Sequence, residues 1–155
     1  MSEPVYLTEE GKSELQQELD TLVNVRRPEL AVKLKEAVAQ GDLKENADYH
    51  DAKEQQSFIE GRIQYLENIL RSAVIITHDG PSDVVSMGAR VTIREEGTDE
   101  DEEYMIVGTA EADPRAGKIS HESPIGKALI GCKKGDKVRV DTPGGKVVFK
   151  IRKIK

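Results

Sequence analysis

The 155-residue sequence predicts an α+β protein. Two long helical patterns fill its first half, and from Val74 the apolar period changes from that of a helix to that of a strand. Composition adds a third observation. With 37% hydrophobic residues, no Trp and two Phe, any core is aliphatic and modest in size. The expected organisation is an N-terminal antiparallel two-helix coiled-coil hairpin over residues 1–76, with an acidic tip at 41–48, followed by a small α+β domain over 77–155.

The first helical pattern opens at Thr8, a plausible N-cap, and carries Leu15, Leu19, Leu22, Leu30, Leu34 and Val38 at helical spacing up to Gln40. Pro28 breaks the phase, since Leu30 and Leu34 resume one position out of register, and a kink near Arg27 is the expected cause. The second pattern places Ile59, Ile63, Leu66, Leu70 and Ala73 at alternating steps of four and three, as in a heptad seam. Extended backwards, that seam meets Gln56, Ala52, Tyr49 and Glu45, so it is polar toward the bend. Two helices of about 30 residues at about 1.5 Å per residue make a hairpin roughly 40 to 50 Å long.

The second half reads as strands at 74–76, 90–94, 104–108, 137–141 and 146–154, with Pro143-Gly144-Gly145 as a hairpin turn. Ser123 before Pro124 is the signature of an N-cap and a first-turn proline, opening a short helix that ends by Gly131. The run EEGTDEDEE at 95–103 holds seven acids in nine residues, which favours a solvated loop.

The net charge of −6 lies entirely in the first half: residues 1–78 hold nine Lys and Arg against fifteen Asp and Glu, whereas 79–155 hold fourteen of each. This argues against a broad basic face gripping bare nucleic acid. A basic protein surface or a metal is the better match. The single Cys132 cannot form an internal disulfide, the first residues show no leader-like apolar stretch, and no run approaches the roughly 18 apolar residues of a membrane span. The expectation is a protein of a reducing cytoplasm without a membrane role.

At the bend, GDLKENADYH has two readings. Asp42-Leu43-Lys44-Glu45 fits a capping box opening the second helix, with Gly41 ending the first. The same two carboxylates also suit a Mg²⁺ half-site, because Mg²⁺ is commonly held by one or two carboxylates plus water and substrate phosphates. Two acids are too few to hold the ion alone. Other chemistry is poorly supported: His50, His78 and His121 show no metal-ligand spacing with one another or with Cys132, and GKALIGCKKGDK lacks the phosphate-loop pattern.

GDLKENADYHDAKEQQSFIEGRI, with RRPEL upstream and IVGTAEAD, ISHESPIGKALIG and DTPGGKV downstream, closely resembles the GreA/GreB family of bacterial transcript-cleavage factors. The resemblance spans nearly the whole chain. It implies an FKBP-like fold for the C-terminal domain, and a non-enzymatic factor that enters the secondary channel of RNA polymerase and stimulates the polymerase's cleavage of backtracked nascent RNA. The implied roles are polymerase docking for Ser123 and Pro124, assistance to the polymerase Mg²⁺ for the tip acids Asp42 and Glu45, and tip support for Asn46 and Tyr49. Lys53 is either a contact to the extruded 3′ segment of RNA or a solvated helix lysine. No cofactor is expected to be held by the chain alone, since the Mg²⁺ belongs to the polymerase site in the complex, and a monomer is expected. Leu43 and Lys44 depart from the Arg and Ser common in the GreB branch, which favours release of short fragments.

Two competing readings give different observables. A channel-occupying regulator would inhibit nucleotide addition without promoting cleavage. A prolyl isomerase, suggested by the FKBP-like fold, needs an aromatic-lined pocket, yet Tyr104 and Phe149 are the only aromatic residues after residue 78.

Overall fold

The computed structural model describes residues 4–77 and 83–155, so His78 lies outside the described residues. The chain forms two compact units, one of residues 12–72 and the other of residues 1–11 together with 73–155.

The 12–72 unit is the helical hairpin. Helix α1 (Glu9–Thr21) leads into a π-helical turn (Leu22–Arg26) and then α2 (Arg27–Ala39), and after a short loop the chain returns as α3 (Ala47–Ser72). The shifted leucine register predicted a kink near Arg27. The structure realises it as the π turn, in which the Arg27 N–H donates to the Leu22 carbonyl five residues back. Pro28 lacks an N–H and cannot close an ordinary helical bond to its preceding turn, so one extra residue is accommodated there and the apolar phase slips by one.

Leu30 and Ala37 on α2, and Ala52, Ile63, Leu66 and Ile69 on α3, are buried. The seam therefore uses Ala37 where the periodicity suggested Val38, which is 50% exposed, and adds Ile69 beside a partly buried Leu70. Two forked ion pairs bridge the helices: Arg27 donates to Glu60 through Nε and Nη2 at 2.8 Å each, and Arg62 to Glu18 at 2.8 and 2.9 Å. The Arg62 hydrogen bond holds the Glu18 carboxyl below the ordinary glutamate range. A lowered folded-state pKa means that the pair's contribution is present above the ordinary value and is lost as pH falls from there through the lowered one. Both side chains are about two-fifths exposed, so the contribution is under about 1 kcal/mol. Glu18→Gln is accordingly expected to be slightly less stable than the parent in urea at pH 7, with the difference shrinking as pH is lowered below the ordinary glutamate range.

In the other unit, strands β3 (Arg90–Glu95), β4 (Asp101–Val107), β5 (Lys118–Ser120), β6 (Lys137–Thr142) and β7 (Gly145–Ile154) form one sheet in the order β5-β4-β3-β7-β6. Its pairings are antiparallel except for β4 with β5. Alternate residues Val91 and Ile93, Val138 and Val140, and Phe149 and Ile151 enter a core with Val85, Ile106, Ile119 and Leu129. Leu129 belongs to the short helix α4 (Pro124–Leu129), which packs against β6. This sheet and helix, with the separate helical hairpin, make the α+β class expected.

Three features depart from the expected boundaries. Strand β1 (Val5–Leu7) pairs in parallel with β2 (Ala73–Ile75), Leu7 is fully buried, and residues 1–11 thus join the sheet-bearing unit where 1–76 was read as one domain. Strands of three residues are too short to show a period of two, and their partners are about 68 residues apart. Strand β5, equally short, was missed for the same reason. The acidic run is also less of a loop than its composition suggests, because Asp101 to Glu103 lie in β4. There Arg94 pairs with Asp101 at 2.7 Å and Arg90 with Glu103 at 3.4 Å, so cations from β3 pair with two of the strand's three acids.

Candidate functional site

The hairpin bend is built from the end of α2 upward. Gly41 takes φ 76° and Asp42 φ 49°, so two consecutive left-handed residues turn the chain out of the helix. A helix N-cap needs extended backbone, which Asp42 does not have. The expected capping box at 42–45 is therefore not formed. Asn46 caps α3 instead, its Oδ1 accepting from the Tyr49 N–H at 3.1 Å.

The same Asn46 side chain ties the two helices together. Its Nδ2 donates to the Ala37 carbonyl at 2.8 Å and to the Gly41 carbonyl at 3.3 Å, satisfying acceptors at the end of α2. Between these anchors the loop closes on itself, with the Glu45 N–H donating to the Asp42 carbonyl at 3.1 Å. His50 Nε2 lies 3.0 Å from the Lys44 carbonyl, and its ring meets the Tyr49 ring edge-on at 5.6 Å. Tyr49 is half-buried on the seam that the sequence extended toward the bend.

Relieved of capping, Asp42 and Glu45 are exposed, and among the described residues neither carboxylate has a hydrogen-bond or ion-pair partner. Both line an open cleft of about 390 Å³ with Gln40, Gly41, Asn46, Ala47 and Asp48. Among the described residues no group of three or more His, Cys, Asp or Glu side chains is arranged to hold a metal. Chemically, the bend offers two free carboxylates on a braced backbone. That donor set suits one side of a hard cation's shell, with the remaining oxygens supplied from outside the chain.

Lys53, further along α3, is exposed and donates to Gln56 Oε1 at 3.1 Å, an ordinary pair along the helix surface. Ser123 and Pro124 belong to the other unit and take the cap and first-turn positions expected of them. Ser123 Oγ accepts from the Gly126 N–H at 3.1 Å and donates to the Ser120 carbonyl at 2.7 Å. The loop before them is held by Thr109 Oγ1, which lies 3.1 Å from both Ser120 Oγ and Glu122 Oε2. A Cβ on Gly126 would sit 2.0 Å from the Ser120 carbonyl oxygen, a backbone atom with little freedom to retreat. Gly126→Ala is expected to lose about 1–3 kcal/mol in thermal unfolding, the usual cost of overpacking.

Phe149 lies in the sheet core and Tyr104 is packed against it, so the two aromatic residues after residue 78 are engaged in packing. The residues whose part sequence reasoning missed are His50 at the bend and Glu111 in the sheet-bearing unit. Each acts through a partner or cleft formed only by the folded chain. His50 carried one weak signal, its place one residue beyond Tyr49 in the first turns of α3.

Family comparison gives an independent result. Residues 5–75 match the family described as "Transcription elongation factor, N-terminal", and residues 80–155 match "Transcription elongation factor, GreA/GreB, C-term". The chain is 52% identical over 149 residues to transcription elongation factor GreA of Bacillus licheniformis, covering 96% of this chain and 94% of that protein. It is 51% identical over 156 residues to the same-named protein of Thermoanaerobacter pseudethanolicus, covering 100% and 99% of the two chains. Among solved structures, that of GreA factor homolog 1 of Thermus thermophilus is 34% identical over 99% of both chains, with a TM-score of 0.46. Among the described residues no helix is long and apolar enough to cross a membrane. Two family matches that together span almost the entire sequence, with identities near one half over full length, establish that the chain belongs to the GreA/GreB family of transcription elongation factors.

Proposed function

We propose that this elongation factor stimulates the intrinsic cleavage of backtracked nascent RNA by bacterial RNA polymerase, with Asp42 and Glu45 as the groups it contributes to the chemistry. One observation carries the reading: two exposed carboxylates, neither with a partner among the described residues, occupy a bend whose backbone is held from both sides.

In this reading the hairpin passes down the secondary channel and the sheet-bearing unit docks at its rim through the Ser123 and Pro124 loop. The factor acts as a monomer in the cytoplasm. Asp42 and Glu45 would then be the two carboxylates this chain offers to one side of a Mg²⁺, the remaining oxygens being supplied from outside the chain. Such an ion supplies Lewis acidity to the phosphoryl oxygens and activates water for in-line attack. Either carboxylate can also accept a hydrogen bond from the attacking water and so orient it. Asn46 and Tyr49 keep the bend in shape, and Lys53 offers a cation to the extruded RNA. With Leu43 and Lys44 at the tip, the products are short 3′ fragments, and the polymerase resumes from the new 3′ end.

The test uses backtracked elongation complexes carrying 5′-labelled RNA, with and without the protein. Faster shortening of the labelled RNA and its subsequent re-extension are expected. A protein that binds the polymerase and slows nucleotide addition, with cleavage no faster than without it, would make the chain a channel-occupying inhibitor and end this reading.

A further inference from the structure

We propose that His50 is a positioning residue for the bend: its imidazole fixes the Lys44–Glu45 peptide and thereby sets where the Glu45 carboxylate stands relative to Asp42. The proposal rests on the reading above that these two acids perform the chemistry, but its structural half can be tested without it.

The Lys44–Glu45 peptide carries Glu45 at its C-terminal side, and both of its polar groups are engaged. Its N–H, from Glu45, donates to the Asp42 carbonyl at 3.1 Å, while its C=O, from Lys44, accepts from His50 Nε2 at 3.0 Å. A peptide unit is planar, so fixing both ends fixes its rotation, and with it the direction in which Glu45 leaves the backbone. The histidine is well placed for this. In the first turns of a helix long side chains point back toward the N-terminus, and the fourth residue of α3 therefore reaches the loop that precedes it. The His50 N–H already bonds the Asn46 carbonyl at 3.1 Å, and the ring rests edge-on against Tyr49 at 5.6 Å, so backbone and ring are both located. The carbonyl accepts, so Nε2 must carry the proton.

Asn46 cannot replace this contact. Its amide holds Ala37, Gly41 and Tyr49, the two roots of the loop. Among the described residues the Lys44 carbonyl has His50 as its hydrogen-bond partner, and without it that peptide is free to rotate toward water.

Two substitutions separate the donor from the ring. His50→Phe keeps a flat ring against Tyr49 and removes the donor, whereas His50→Gln offers an amide N–H at similar reach. The first measurement is hydrogen exchange of the Glu45 amide in the full chain. His50→Phe is expected to accelerate it by about tenfold, and His50→Gln to restore protection. The second is cleavage in backtracked complexes saturated with factor. There His50→Phe is expected to lower the maximal rate by about tenfold or more, with the half-saturating factor concentration unchanged, and His50→Gln to recover most of the loss. Unchanged Glu45 exchange in His50→Phe, or a wild-type maximal rate in that variant, overturns the proposal. Failure of the parent protein to stimulate cleavage would instead overturn the functional reading, while the exchange result would still decide whether His50 braces the loop.

Discussion

Asp42→Asn and Glu45→Gln are each expected to lower factor-stimulated RNA cleavage by about 10²- to 10³-fold at equal polymerase occupancy, the usual cost of removing one electrostatic group aimed at a developing charge. The choice of amides matters. Asp42 sits at φ 49°, where Asn is tolerated almost as well as Gly, so the amide keeps the turn while removing the charge. Alanine there would mix backbone strain with lost chemistry. Because neither carboxylate has a hydrogen-bond or ion-pair partner among the described residues, neither amide should disturb the hairpin. Helicity and affinity for polymerase are expected to stay at parental values. If the acids act by recruiting Mg²⁺, raising its concentration should narrow the gap between mutant and parent, as mass action requires. Amide variants that cleave at the parental rate while fully bound would remove Asp42 and Glu45 from the mechanism.

The largest stability effect is expected at Glu111, a residue the sequence did not single out. Its side chain is 4% exposed, and its carboxylate accepts from the Thr8 N–H at 3.0 Å and from the Thr8 hydroxyl, with Lys118 Nζ 3.8 Å away. Thr8 Oγ1 in turn accepts from the Gly11 N–H at 3.0 Å, capping the first turn of α1. Gly11 leaves room for this carboxylate, because a Cβ there would lie 2.2 Å from the Glu111 carboxyl carbon and force the side chain to move. Hydrogen bonds to a charged group contribute about 1.5–3 kcal/mol each, and Glu111→Ala would leave Lys118 and the Thr8 N–H short of their partner. A loss of about 3 kcal/mol follows, seen as a lower unfolding temperature of the sheet-bearing unit in calorimetry. Glu111→Gln, which keeps an acceptor, is expected to lose less. A Glu111→Ala protein within about 0.5 kcal/mol of the parent would show that water replaces the carboxylate without cost.

Local periodicity and local caps were legible in the residues themselves. The seam of Ile63 and Leu66, the phase slip at Pro28, the Thr8 and Ser123 caps and the alternation in β3, β6 and β7 all follow from interactions within a few positions of chain. The acids of the bend were also found from sequence, because the turn signal at Gly41 and the carboxylates coincide in one short stretch. Their freedom was not. Sequence spacing offered Asp42 as the cap, whereas in the fold Asn46 caps α3 and its amide also reaches back to the Ala37 carbonyl on the other helix.

What the sequence by itself determined is thus the hairpin, the strand-rich second half and the position of the two acids. Tertiary structure decided which groups at the bend are engaged and which stay free. It also decided that residues 5–7 pair with 73–75, that the acidic run continues into a strand opposite arginines, and that a buried carboxylate at 111 fastens Thr8. The division has one physical reason. Helical bonds close within four or five residues and leave a period in the sequence, whereas short parallel pairings and side-chain anchors join distant residues and leave none.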